Sequence, residues 1–256
     1  MTKVKKGKTM VKERAVSGSS RFVKVLKRVL QVVAVTIVLA AVVLIGAHYV
    51  WKYSGTNKWS LVSDQDGVQI YSKKVPGDTL LKFRGHIRFP QSIGVAVYGM
   101  LDVHLEGCQE FFPGCTSVKA IETWNPKKMS QTYLWQVSFS KSMKPREFLL
   151  ETKVLPEPSK KAVTVEFLAQ PDILPRDACC KRIEHLDNTW RFTQVEPGQL
   201  DVVFTENMDL GFPYFMVNRN GPDIVRDMLK GLPEQFNDPD YKSKWPEFLK
   251  GFDSPG

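Results

Sequence analysis

Between Val29 and Val50 the chain carries no formally charged residue, and only Gln31, Thr36 and His48 are distinctly polar. The run VVAVTIVLAAVVLIGA, with its flanks, is long enough as a helix to cross the roughly 30 Å of bilayer hydrocarbon. Lys27 and Arg28 close one end. Tyr49, Trp51 and Tyr53 close the other, and these are the aromatic residues favoured at headgroup level. A core helix apolar on all sides rarely carries flanks of this kind, so the run is expected to be a transmembrane helix over residues 29–50.

The flanking charge sets an expectation for topology. Of the chain's 36 Lys and Arg and 27 Asp and Glu, ten bases and one acid, Glu13, fall in residues 1–28. The remainder is therefore formally neutral, and the sequence pI of about 9.3 describes the tail. Nothing in that balance gives the rest of the chain a nucleic-acid footprint. A basic segment before an apolar helix places the N-terminus in the cytoplasm. The rest of the chain then lies outside it: in the periplasm of a bacterium, or on the outer face of a single membrane. A cleaved signal peptide fits less well, because Ile45, two residues before the tempting site after Ala47, is bulky and the basic segment exceeds a usual n-region. The tail reads as a solvated, disordered topology signal with Ser17-Gly-Ser-Ser20 as a flexible joint. It equally suits contact with anionic lipid.

From about residue 56 the pattern becomes that of strands. Leu81, Phe83, Ile87 and Phe89 alternate with Lys82, Arg84, His86 and Arg88, the signature of a half-buried antiparallel strand. Residues 67–75 read as its hairpin partner through Pro76-Gly77-Asp78. A short helix is expected over 92–102 and a second helix or loop over 104–115. Strands follow over 117–124, 130–140, 146–155, 162–170, 179–194 (interrupted near Asp187-Asn188 by a bulge or turn) and 200–210, about eight in all. A helical period returns over 213–236, with Ile224, Met228, Leu232 and Phe236 on one stripe and Val225 and Leu229 beside it. Gly221-Pro222 suggests a break inside it. Beyond Asn237 the chain reads as a loosely ordered tail, 237–256. The fold class is α+β, a single domain over 56–236 on an antiparallel sheet.

Tyr133, Trp135, Val137, Phe139, Phe148, Leu150, Val154, Val163, Val165 and Phe167 alternate on the middle strands. A filled interior and an enclosed cavity both suit that pattern, and the alternation does not separate them.

Several local strings, in their order and spacing, resemble the START family of lipid-transfer domains within the helix-grip superfamily. They are Trp59-Ser-Leu-Val with Asp66-Gly67-Val68-Gln-Ile-Tyr71, Met100-Leu101-Asp102, Lys144-Pro-Arg-Glu-Phe148, and Trp190-Arg-Phe192 with Pro197-Gly198. Asp209-Leu-Gly211 and Pro213-Tyr-Phe-Met-Val-Asn218 complete the set. Glu147 stands where the family usually has Asp, and Phe212 replaces a small residue. The resemblance implies a curved antiparallel sheet gripping the C-terminal helix around a hydrophobic tunnel. It also implies a lipid or sterol-like ligand, possession of no cofactor, and binding without catalysis. The implied tunnel walls are Trp135, Phe148, Leu150, Phe167 and Phe204 from the sheet, and Ile224, Met228 and Leu232 from the helix. A helix-grip enzyme acting on a hydrophobic substrate is the alternative, with Glu206, His86 or Arg182 as acid–base candidates. An envelope scaffold with a filled core is another.

No P-loop, GxGxxG, HExxH or GxSxG motif is present. His104, Cys108 and Cys115 lack a nearby fourth ligand, so a metal is not expected. In a disulfide-permitting compartment Cys108 and Cys115 form either a bridge or two buried thiols. Cys179 and Cys180, taken as strand neighbours, point to opposite faces and are not expected to bond.

Overall fold

The computed structural model describes residues 9–102, 107–109, 114–237, 241 and 247–249. Two compact units divide the chain, one up to Ser54 and one from Gly55 onward. The first is a single helix, α1 (Thr9–Tyr53). Its stretch Phe22–Tyr53, 32 residues, is long and apolar enough to cross a membrane, since at 1.5 Å per residue it reaches about 48 Å. The expected flexible joint at Ser17-Gly-Ser-Ser20 is instead helical. Those residues each weaken a helix by under about 1 kcal/mol, and a long helix already nucleated on its apolar side propagates through them.

The second unit is built on one sheet of ten strands. Its elements are β1 (Trp59–Gln65), β2 (Val68–Lys73), β3 (Lys82–Pro90), α2 (Ile93–Leu101), β4 (Cys115–Asn125), β5 (Ser130–Val137) and β6 (Arg146–Glu157). They continue with β7 (Ala162–Ala169), β8 (Lys181–Arg182), β9 (Asp187–Glu196), β10 (Gln199–Glu206) and α3 (Tyr214–Gln235). The spatial order is β1-β2-β3-β10-β9-β7-β6-β5-β4, every pair antiparallel. The two-residue β8 runs parallel to the start of β6, at Arg146 and Glu147, where β7 does not reach. The expected segment 179–194 is thus two strands, with the interruption at 183–186 just ahead of Asp187-Asn188. The expected helix or loop over 104–115 falls largely outside the described residues, as does His104; residues 107–109 are helical.

Alternation along the strands sends one set of side chains inward: Phe83, Gly85, Ile87 and Phe89 from β3, and Leu200, Val202, Phe204 and Glu206 from β10. The core contains no described residue before Val68. The unit from Gly55 onward therefore carries a core of its own. Ser92 caps α2, its hydroxyl accepting from the Val95 N–H at 3.2 Å.

The last helix packs on β2 and β3, and two glycines set how closely. A Cβ on Gly85 would stand 2.2 Å from Leu229 Cδ1, and one on Gly221 would stand 2.2 Å from Phe83 Cε2. Strand and helix each give up a side chain where they meet. Contrary to expectation, α3 runs unbroken through Pro222. The burial it gains against β3 outweighs the roughly 3 kcal/mol that an internal proline removes. Its ends are tied to the sheet side of the domain. Asn218 accepts from the Leu81 N–H at 2.8 Å and donates to the Thr79 carbonyl at 3.0 Å, while Gln91 donates to the Phe236 carbonyl at 2.9 Å. Beyond Asn237, where a loose tail was expected, the described residues pack down: Tyr241 and Leu249 are buried in the core, and Phe248 stacks on Trp124.

Candidate functional site

Because α3 is held against β2 and β3, it leaves the inward face of the middle strands partly uncovered. The space between them is a cavity of about 400 Å³. Trp135 of β5, Leu150 of β6, Phe167 of β7, Trp190 of β9 and Phe204 of β10 form its sheet wall. Ile224, Val225 and Met228 of α3 face them, and Met100, Leu186 and Met208 close the sides. Asn188, Glu206 and Asp227 are the polar members.

Cross-strand register explains the wall. Trp190 lies opposite Phe204 on β10 and Val165 on β7, so its ring enters the row that faces the helix. The Trp190 and Phe204 rings are 4.3 Å apart, tilted by 31°. Trp135 lies opposite Phe148. Six of the eight residues expected as walls line the cavity: Trp135, Leu150, Phe167, Phe204, Ile224 and Met228. Phe148 and Leu232 do not; both are fully buried in the core beside it. The helix stripe is turned by one position from the expected one. Gly221, Val225, Leu229 and Leu232 are the buried face, whereas Ile224 is 60 % exposed and Met228 half-buried at the cavity edge. Val225, Trp190, Met100 and Met208 were not anticipated as lining residues, although period-two alternation in β9 already places Trp190 and Phe192 on one face.

The three acid–base candidates separate. His86 points to the other side of β3, where its Nε2 pairs with Asp201 at 2.7 Å. Arg182 is buried and paired with Glu147 at 2.7 Å, and its remaining N–H groups donate to the carbonyls of Pro171, Leu174 and Pro175. This guanidinium fastens the 171–175 segment to β6 and takes no part in the cavity. Glu206 alone lines the cavity. Its surroundings desolvate the carboxylate and push its pKa up to about 7.

Cys108 and Cys115 are joined by a disulfide. So, against expectation, are Cys179 and Cys180. They lie in a turn ahead of β8 rather than in a strand, so the alternation that would have separated their side chains does not apply. No group of side chains suited to a metal ion occurs among the described residues.

No protein-family model and no curated protein matches the sequence. Solved structures do match the fold. A STAR-related lipid transfer protein from Xanthomonas axonopodis superposes with a TM-score of 0.62 at 21% identity, covering 70% of this chain and 99% of that one. Human STARD10 gives 0.62 at 14% identity, covering 79% and 84%. Human StAR-related lipid transfer protein 5 gives 0.56 at 14%, covering 71% and 88%. The α+β architecture is the helix-grip fold of START domains, as the local strings imply.

Proposed function

We propose that this protein binds a lipid or a comparable apolar molecule in the cavity between the sheet and α3, without covalent chemistry. In this reading α1 anchors it in the membrane with the domain outside the cytoplasm. The observation that carries the proposal is the cavity itself. Its volume falls within the roughly 300–1,000 Å³ of small-molecule sites, and eleven of its fourteen described lining residues are apolar. Each methylene hidden there from water contributes about 0.8 kcal/mol, so a sixteen-carbon chain fully hidden gains on the order of 12 kcal/mol before the entropy of confinement. The solved structures named above are described as lipid transfer proteins in two of three cases, which supports the same ligand class and a role in moving lipid through the cell envelope.

The test uses residues 55–256 expressed in a bacterial host, purified, extracted with organic solvent and analysed by mass spectrometry. The expected result is one apolar molecule per domain, or its uptake when the domain meets vesicles made from a total lipid extract. A domain that is empty after purification and remains empty after the vesicles overturns the proposal.

A further inference from the structure

An apolar cavity does not account for Glu206. The residue stands on the inward face of β10, two positions beyond Phe204 and opposite Phe83 of β3. It is 9 % exposed and lines the cavity, and burial alone acts on its carboxyl, with no side-chain hydrogen bond or ion pair to a described residue. Burial without a partner is the arrangement that disfavours a carboxylate most.

The described charges on the neighbouring elements leave that group alone. On β3, Arg84 lies next to Phe83 but faces the other way, donating to Thr205 and covering the Trp59 ring. On β9, Asn188 has its side-chain oxygen committed to the Asn207 N–H. On α3, Asp227 is the other acid of the lining; its side chain is mostly exposed and sits against Arg226, which also pairs with Asp223. Among the described residues no Lys, Arg or His lines the cavity. Both titratable members of that described lining are acids.

We propose that the cavity selects its ligand by the charge of the head group: it takes an apolar molecule whose one polar group donates a hydrogen bond, a hydroxyl or an amine, seated on Glu206. It turns away the same chain ending in a carboxylate or a phosphate. This rests on the cavity being the ligand site. A donor head supplies the partner that the fold withholds from Glu206, and an ammonium head also neutralises it. The neighbouring faces of Trp190 and Phe204 favour a cation further. An anionic head would meet a like charge with no cation among the described lining residues to offset it. The pKa raised to about 7 fits a group that waits for such a partner, because pairing with a donor restores its charged form.

The experiment uses residues 55–256 stripped of bound lipid. An equimolar mixture of hexadecane, hexadecanol, hexadecylamine and hexadecanoic acid is delivered from methyl-cyclodextrin at pH 8. Bound molecules are then counted by mass spectrometry after gel filtration and extraction. The alcohol and the amine should each exceed the acid by about tenfold or more, a modest demand on an interaction between like charges. In Glu206→Gln, confirmed folded by circular dichroism, the acid should come within about twofold of the alcohol, because an uncharged amide no longer repels it. Equal capture of all three heads by the wild type, or an unchanged ratio in Glu206→Gln, overturns charge selection while leaving the cavity as the ligand site. Capture of none of the four overturns the ligand site as well.

Discussion

Glu206 and Glu157 are the same residue in opposite settings. Glu157, at the end of β6, accepts from Arg191 and Lys160, which hold its pKa down to about 2. Glu206 has only burial acting on it, and its pKa rises to about 7. In the unfolded chain both return to about 4.5. Between pH 4.5 and 7 the folded state therefore binds more protons at Glu206 than the unfolded state, and stability falls as pH rises. The loss approaches roughly 3 kcal/mol by pH 8, from about 1.36 kcal/mol per pKa unit. Glu157 works in the other direction and only below pH 4.5, where its contribution is lost as it protonates, so the two windows do not overlap. Urea unfolding of the empty domain at pH 5 and pH 8 should show this decline, and Glu206→Gln should flatten it. An equal decline in the variant would place its cause elsewhere. The position was legible beforehand, since Val202, Phe204 and Glu206 share one face by alternation. What the alternation did not reveal was that none of the described cations meets that face.

Helix α3 shows what periodicity does and does not fix. The stripe was visible as a stripe, but its rotation was not, because Ile224 and Met228 are as apolar as Val225 and Leu229. Close approach decided it: Gly85 and Gly221 bring the Val225–Leu229 side onto β3, and Ile224 and Met228 are left at the cavity edge. Those two glycines sit far apart in sequence, and only the fold sets them against the same pair of elements. Cys179 and Cys180 bond for a related reason: the fold places in a turn a pair that sequence pattern assigns to a strand. Met228→Trp should fill part of the cavity while leaving the buried side of α3 intact, and weaken binding of the co-purifying ligand by about tenfold. Lys230→Glu replaces an exposed pair with Asp66 by a solvent-screened like-charge contact away from the cavity, and should leave binding unaltered. Unchanged affinity in a folded Met228→Trp domain, read by ligand titration, would mean that α3 does not border the bound molecule.

Across the whole molecule the order of elements was the most legible feature, because each strand announces itself by alternation and each boundary by proline or glycine. The cavity was not, since apolar side chains that fill a core and those that surround a space obey the same pattern. The charge division was plain: a basic tail, a neutral domain. A reporter active only outside the cytoplasm, fused after Gly256, should be active, and replacing the ten tail bases with Gln should scramble its orientation. An inactive reporter on correctly inserted protein would reverse the topology. The strand order carries one more consequence, in time rather than space. Inside the sheet β3 pairs with β10, and His86 and Asp201, bonded across that seam, are 115 residues apart. At a synthesis rate of about 5–20 residues per second, β3 waits on the order of ten seconds for its neighbour to be made. The hairpin of β2 and β3 spends that interval with an open edge, and the sheet can close only once nearly the whole domain has left the ribosome.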